Sequence, residues 1–228
     1  MVIIKGFIES SFIDYPGKIA CVIFTAGCNF YCHYCHNPEL VTPEPPFLSE
    51  DQVLKKIDNK RDWIDGIVIS GGEPTMHKDL PKFIEKVKEK GLMIKLDTNG
   101  SNPDMLKELL DKKLIDYVAM DIKAPLEKYD KITQEKCNVD DIRKSIDLIQ
   151  HSGIPYEFRT TILPSLVSEH DLIKIGQVLE GSELFVIQQF RNEVTLDESY
   201  KTQPGYLKPQ IDHFVRMLKP YFKKVISR

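Results

Sequence analysis

Three cysteines within eight residues are the most informative feature of this sequence. Cys28, Cys32 and Cys35 lie in residues 27–37, which read GCNFYCHYCHN, and no fourth cysteine lies in this segment. A cubic [4Fe–4S] cluster has four irons, and clusters used only for electron transfer normally take four cysteines. Three thiolates leave one iron without a protein ligand. Such an open position is typical of a metal site that does chemistry on a molecule bound there.

Zinc is the competing interpretation of the same segment. A structural zinc site needs four ligands, and His33 or His36 could complete a set of three cysteines and one histidine. Zinc sites of this kind usually draw on two ligand pairs separated by a longer segment, and no second pair is present. The spacing therefore favours iron–sulfur over zinc. It also leaves a non-catalytic, zinc-binding interaction module open as a function from another class.

The elements that must position these cysteines follow a regular alternation. Short runs rich in β-branched and aromatic residues predict strands at 19–25, 66–70, 93–97, 117–121, 157–161 and 184–189. Amphipathic stretches with capping residues and terminal glycines predict helices at 50–58, 79–90, 103–112, 140–151, 168–179 and 209–221. Strands that alternate with helices in this way predict βαβ units and a parallel sheet.

The number of units sets the size of the barrel. Six strands are predicted, whereas a closed eight-fold barrel needs about 250 residues. We expect an α/β protein with an open, partial TIM-type (β/α)6 barrel, and a flat doubly wound sheet is the alternative. Residues 1–228 are expected to form one domain, with the cluster loop at 27–37, the barrel at about 19–191 and a last helix at about 209–221.

Polar side chains close every predicted strand after the first. In a parallel barrel the carboxyl ends of all strands meet on one rim, where active sites lie. Burial of so many polar groups without partners would cost kilocalories each, so a mouth that holds a polar ligand explains them better. The candidates from the third to the sixth strand are Asp97, Thr98, Asn99, Asp121, Lys123, Arg159, Gln189 and Arg191.

A double glycine follows the second predicted strand. Gly71 and Gly72 have no side chains, so their backbone can approach a ligand closely, and the acidic Glu73 comes next. A pair of glycines alone is weak support for a site. Its position after a buried strand and before an acid strengthens the interpretation.

Composition limits the partners and the location. The net charge is −3, so we expect no nucleic acid partner. No apolar stretch approaches the roughly 20 residues that span a bilayer, and the N-terminal apolar run is too short for a signal peptide. We therefore expect no membrane association and a cytoplasmic location, where clustered cysteines favour metal over disulfides.

Together these motifs resemble the radical S-adenosylmethionine (SAM) superfamily. The resemblance rests on the cysteine spacing of residues 28–35, the Gly-Gly-Glu of residues 71–73 and the polar strand ends, and it covers roughly residues 6–191. Within the superfamily, SFIDYPG at 11–17, YCHN at 34–37 and DIK at 121–123 resemble the activating enzymes of glycyl radical enzymes. These include the activating proteins of anaerobic ribonucleotide reductase and of pyruvate formate-lyase.

The resemblance implies a cofactor pair and a reaction. Cys28, Cys32 and Cys35 would hold one [4Fe–4S] cluster, and SAM would chelate the fourth iron. Flavodoxin or ferredoxin would supply an electron, and reductive cleavage of SAM would give methionine and a 5′-deoxyadenosyl radical. That radical would abstract hydrogen from a backbone glycine of a partner glycyl radical enzyme under anaerobic conditions.

The resemblance also implies roles for individual residues. Gly71, Gly72 and Glu73 would contact the methionyl amino group, and Asp121 and Lys123 the ribose or carboxylate of SAM. Asp97 and Thr98 would line the site, where a monovalent cation is one possible ligand, and Tyr34 would approach the adenine. The remaining residues assigned to the cofactor site are His36, Asn99, Arg159, Gln189 and Arg191.

Two further functions stay open at this point. A radical SAM enzyme can also act on a small molecule or on a nucleoside in RNA, and the lack of a basic patch argues mildly against RNA. A simple electron carrier is disfavoured because three cysteines leave the cluster incompletely protected. The sequence does not name the partner enzyme.

Overall fold

One open sheet of eight strands runs through the computed structural model, which describes residues 1–228, and its strands follow chain order. The strands are β1 Ile4–Ser11, β2 Ala20–Thr25, β3 Gly66–Gly71, β4 Met93–Thr98, β5 Tyr117–Asp121, β6 Tyr156–Ile162, β7 Ser182–Gln189 and β8 Phe222–Ser227. Strand β1 is antiparallel to β2, and every later pair is parallel. No ladder joins β8 to β1, so the barrel stays open on that side.

Helices connect the parallel strands and cover the outside of the sheet. They are α1 Pro38–Val41, α2 Glu50–Asp58, α3 Leu80–Lys88, α4 Pro103–Asp111, α5 Tyr129–Thr133, α6 Val139–Gln150, α7 Glu169–Val178 and α8 Lys208–Leu218. Short 3-10 helices lie at Arg61–Trp63, Pro74–Met76, Leu126–Lys128 and Glu198–Thr202. None of these helices combines the length and the apolar character that crossing a membrane requires.

The strands alternate between two different environments. Successive side chains of a strand point to opposite faces, so on β6 Phe158 faces the helices while Glu157 and Arg159 face the barrel interior. An apolar core of 48 buried residues lies mainly between the strands and the helices and extends to the cysteine loop, whereas the apolar cluster inside the barrel has only six. The rest of the interior is polar, and it is this polar interior that leads to the site.

The predicted open, partial α/β barrel is confirmed. All six predicted strands are present as β2 to β7, with ends that shift by at most two residues. Two further strands, β1 and β8, flank them and were not predicted. Both carry exposed charged residues and lie at the sheet edges, so the apolar signal of a buried parallel strand is weak in them.

The predicted helices are also present, within two or three residues at their ends. Ser49 and Ser168 each form a capping box, and the Asn102 side chain accepts a hydrogen bond from Met105 N. The short helices α1 and α5 were missed because a helix of one turn has no amphipathic repeat to detect.

Candidate functional site

A polar cavity of about 580 Å³ occupies the carboxyl-terminal mouth of the barrel. That volume lies in the range of sites that hold small molecules and cofactors. The structure brings every predicted site residue to the wall of this one cavity: Cys28, Cys32, Tyr34, Cys35, His36, Gly71, Gly72, Glu73, Asp97, Thr98, Asn99, Asp121, Lys123, Arg159, Gln189 and Arg191.

The cysteine loop, residues 27–37, is held in place by backbone hydrogen bonds. At its start, Gly27 N donates to Leu40 O at 2.8 Å, and Gly27 O accepts from Glu73 N at 2.8 Å. At its end, Cys35 O accepts from Leu196 N at 2.9 Å. These hydrogen bonds tie the loop to α1, the turn after β3 and the segment after β7.

The three thiols are partly or fully withdrawn from water. Burial raises the pKa of the Cys28 thiol to about 12 and also raises that of Cys32. Thiols with raised pKa values become thiolates when a metal coordinates them. The three sulfurs face one cavity, which fits a group that several irons share among separate thiolates.

Zinc fits this loop less well. No three or more His, Cys, Asp or Glu side chains converge on a point where they would hold a single metal ion. A structural zinc needs four ligands arranged around one ion. The arrangement therefore favours a cluster over a single zinc ion.

The double glycine is required by close packing against the end of β2 and the start of the cysteine loop. Gly71 has φ of +126°, and an added Cβ would lie 2.3 Å from Thr25 N and O. At Gly72 an added Cβ would lie 2.0 Å from Gly27 O. The pair was predicted because glycine permits close approach to a ligand, and the structure shows a close approach to the protein's own backbone.

Glu73 joins the two loops that follow β3 and β4. Its carboxylate is fully buried and accepts hydrogen bonds from Thr75 N at 3.1 Å, Thr98 Oγ1 at 2.7 Å and Asn99 N at 2.6 Å. The Thr75 hydroxyl donates a fourth at 2.5 Å. Burial nonetheless leaves the pKa of Glu73 above its usual value. Its oxygens are thus largely occupied by protein donors.

Five charged side chains of alternating sign cross the inner wall from β4 to β6; we call them the charge chain. Lys95 Nζ is paired with Asp97, whose other oxygen lies 3.4 Å from Arg159 Nη1. Arg159 Nε donates to Asp121 Oδ1 at 2.7 Å, and Lys123 Nζ donates to Asp121 Oδ2 at 2.9 Å. Since Asp121 and Arg159 are register partners on β5 and β6, the sheet itself sets this contact.

The charge chain keeps Asp121 and Lys123 ionised. Burial would raise the pKa of Asp121, but Arg159 and Lys123 outweigh it and hold that pKa well below its usual value. Burial would lower the pKa of Lys123, but Asp121 outweighs it and raises that pKa well above its usual value. The cavity wall therefore presents fixed charges of both signs at neutral pH, which suits a zwitterionic ligand.

Tyr34 and His36 add an aromatic side to the cavity. Tyr34 is buried and lies beside Cys32, and burial raises the pKa of its hydroxyl well above the usual value. Burial, followed by the charges of Lys123 and Arg191, lowers the pKa of His36. The imidazole is therefore neutral near pH 7 and can donate or accept a hydrogen bond.

The far wall of the cavity contains an amide and a second ion pair. Gln189 Nε2 donates to Tyr206 O at 3.1 Å, while Gln189 Oε1 is buried without a hydrogen-bond partner. Arg228, which follows β8, makes two 3.0 Å hydrogen bonds to the fully buried carboxylate of Glu157. Tyr117 donates to the same carboxylate at 3.2 Å.

Several groups of the site were not predicted. Lys95 lies two residues before Asp97 on β4, and Glu157 lies two residues before Arg159 on β6. Residues two apart on a strand share a face, so the alternation that predicted Asp97 and Arg159 also predicts Lys95 and Glu157 on the same face. Arg228 gave no signal because its strand was not predicted. Asp14 lines the cavity too, and it lies in the SFIDYPG segment whose role was left open.

The fold and this cavity define a member of the radical SAM class. The sequence profile of the radical SAM superfamily matches residues 22–175, more than half of the chain. The chain therefore belongs to this superfamily, whose members use a [4Fe–4S] cluster and SAM.

Comparison with individual proteins shows which members of the superfamily this chain is similar to. A protein of Methanocaldococcus jannaschii with the provisional name glycyl-radical enzyme activating enzyme is 36% identical, over 99% of this chain and 95% of the relative. The pyruvate formate-lyase-activating enzyme of Clostridium pasteurianum is 31% identical, over 74% and 72%. Among solved structures, Streptococcus suis SuiB bound to S-adenosylmethionine has a TM-score of 0.65 at 14% identity. It covers 91% of this chain, which spans about half (49%) of that protein, and supports the fold alone.

Proposed function

We propose that this protein is an activating enzyme that installs a glycyl radical in a partner enzyme under anaerobic conditions. The supporting observation is one cavity that combines three thiols, one buried and two partly buried, with a wall of fixed positive and negative charges. The relative that matches 99% of the chain bears the provisional name of a glycyl-radical enzyme activating enzyme. When bound, the cluster and SAM together supply the 5′-deoxyadenosyl radical that takes a hydrogen atom from the partner's glycine.

The cysteine loop provides the ligands in this proposal. Cys28, Cys32 and Cys35 would hold the cluster, and the backbone hydrogen bonds of Gly27 and Cys35 position the loop. Phe30 and Tyr34 are buried beside the thiols and would exclude water from the cluster. His36, neutral near pH 7, would lie next to the cofactor as a hydrogen-bonding group.

The strand ends would bind and orient SAM. The ammonium and carboxylate of a methionyl group need acceptors and a cation, respectively. Carbonyl groups near Gly71 and Gly72 supply acceptors, and Lys123, with a fifth of its side chain exposed, supplies the cation. Asp121 would hold Lys123 in place and contact the ribose.

Glu73, Thr98 and Asn99 would act mainly as one unit. The four hydrogen bonds to Glu73 tie the turn after β3 to the loop after β4. Direct contact of Glu73 with the methionyl amino group stays a prediction. Gln189, Arg191 and Arg159 complete the wall on the side where the barrel is open, and the free Gln189 Oε1 would accept a hydrogen bond from a ligand.

The macromolecular partners follow from the same proposal. A glycyl radical enzyme of the anaerobic ribonucleotide reductase or pyruvate formate-lyase type would insert its glycine loop through the opening between β1 and β8. Flavodoxin or ferredoxin would serve as electron donor. The cytoplasmic location and the absence of a nucleic acid partner stay predictions.

Electron paramagnetic resonance tests the proposal directly. Protein purified without oxygen should contain four irons and four sulfides per chain. With SAM, a reductant and the correct glycyl radical enzyme, it should produce the spectrum of a glycyl radical on the partner. Asp121→Ala should bind SAM more weakly and retain the cluster.

Three outcomes would contradict the proposal. A colourless protein loaded with zinc would remove the cluster. Turnover of a free small molecule or RNA nucleoside, with no radical on any glycyl radical enzyme, would assign another radical reaction. Unchanged SAM affinity in Asp121→Ala would remove this residue from the site.

A further inference from the structure

Lys95 is a deeply buried cation inside the barrel. The residue is only 1% exposed and lies in the middle of β4, opposite Val68 and Tyr117 on the neighbouring strands. Its ammonium has one hydrogen-bond acceptor, Asp97, and otherwise lies 5.9 Å from the centre of the Tyr117 ring. Burying an ammonium with so few partners is costly.

Stability alone does not account for this lysine. Buried ion pairs can often be replaced by well-packed apolar residues without loss of stability. The surroundings of Lys95 are apolar and aromatic, and include Val68, Met93, Tyr117 and Ala119, so an apolar side chain would suit the position. The role of its charge must then lie in the interaction with Asp97.

Asp97 connects the buried lysine to the cavity. One of its oxygens pairs with Lys95, while the other accepts from Ser70 Oγ at 3.1 Å and faces Arg159. Asp97 lines the cavity with 14% of its side chain exposed, whereas Lys95 lies behind it. Without the ammonium, one oxygen of a nearly buried carboxylate would lose its partner next to a space that small cations can enter.

We propose that Lys95 is the built-in cation of this site. Its ammonium occupies the place beside Asp97 that an inorganic monovalent cation such as K⁺ or NH₄⁺ would otherwise fill. It is a positioning residue, because it orients Asp97 and, through Arg159, the Asp121 carboxylate that holds Lys123. The site accordingly needs no monovalent cation from solution.

Cation-dependent thermal unfolding of the anaerobic, cluster-loaded protein tests this assignment. Lys95→Ala should unfold at a higher temperature in KCl or NH₄Cl than in choline chloride of equal ionic strength. The difference should saturate, at about 3–6 °C when the cation is near ten times its dissociation constant. Wild type should show no such difference, and its SAM cleavage should change less than about twofold when choline replaces K⁺ and Na⁺.

Two controls isolate the carboxylate. In Lys95→Ala/Asp97→Asn, the difference between K⁺ and choline should disappear, because the oxygen that binds the cation has lost its charge. Lys88→Ala removes the lysine of another Lys–Asp pair, 3.0 Å from Asp116 and partly exposed, and should behave as wild type does. If Lys95→Ala does not fold, Lys95→Met, whose flexible side chain fills similar space, carries the same comparison.

The result that overturns the proposal is equally specific. An equal response to K⁺ in wild type and Lys95→Ala, no response in either, or a response that survives Asp97→Asn would each refute it. The readout needs no partner enzyme, so failure to find a glycyl radical would leave this test intact.

Discussion

The two faces of the sheet are built from opposite kinds of residue. A continuous apolar core of 48 buried residues lies mainly outside the barrel, between strands and helices. Inside, an apolar cluster of six residues lies below the charge chain and the Glu157–Arg228 pair. The first arrangement gains free energy from apolar burial, and the second spends part of it on buried charge.

This difference separates stability from function along each strand. On β6, Phe158 belongs to the outer core, and its neighbour Arg159 links two acids of the cavity. A residue that faces outward should therefore affect how much protein is folded. One that faces inward should affect what the folded protein binds, and should affect stability only where its removal leaves a buried charge without its partner. Substitutions on the two faces can test that separation.

The largest effect is expected for Cys32→Ala, which removes a proposed cluster ligand. Cleavage of SAM should be abolished and iron binding lost or severely reduced. Compared without the cluster in both proteins, the free energy of unfolding should change by only about 1 kcal/mol, since one small side chain is replaced by another. Iron content, SAM cleavage and urea unfolding measure the three quantities.

The matching control for this prediction is Cys21→Ala. Cys21 is a buried cysteine on the outer face of β2, and its sulfur contacts Glu9 O at 3.1 Å. The Cys21→Ala variant should retain both the cluster and the cleavage of SAM. Retained cleavage in Cys32→Ala would contradict the proposed cluster site.

Phe158→Ala should produce the reverse outcome. The ring is fully buried in the outer core, so its removal should lower the free energy of unfolding by about 3–5 kcal/mol. The affinity of the remaining folded protein for SAM should stay close to that of wild type. Urea unfolding and equilibrium binding on the same preparation distinguish the two effects, and a large loss of affinity per folded molecule would break the separation.

How well the sequence predicts the residues of the barrel interior depends on where they lie along their strands. The residues at the strand ends, such as Asp97 and Asp121, were found because polar groups there stand out against apolar strands. Lys95 and Glu157 lie within the strands, and only pairing across the sheet shows what stabilises them. Arg228 follows an edge strand whose exposed lysines make it hard to recognise in the sequence. Its role is therefore visible only from its long-range contact with Glu157 in the folded protein.

Arg228→Ala tests how much a buried ion pair of the barrel interior contributes to stability. It leaves the fully buried Glu157 carboxylate with only the Tyr117 hydroxyl as donor, which should cost about 2–3 kcal/mol of unfolding free energy. Lys223→Ala, on the strand that precedes Arg228, removes a surface pair with Glu183 and should cause no measurable loss. Equal unfolding midpoints in urea for the two variants would show that the Glu157–Arg228 pair contributes nothing to stability.

The smallest effect is expected in the pH dependence of stability. Arg159 and its neighbouring lysines, against the opposing effect of burial, hold the pKa values of Asp97 and Asp121 below the usual value. A carboxyl with a lowered folded pKa stabilises the protein above the pKa of the unfolded chain, near 3.9, and this stabilisation is lost as the pH falls below it. The free energy of unfolding of the cluster-free protein, measured in urea between pH 7 and pH 3, should therefore decline at the acid end. Asp97→Asn should show a shallower decline, because one of the two carboxyls can no longer take up a proton on unfolding; an unchanged slope would place the acid sensitivity outside the charge chain.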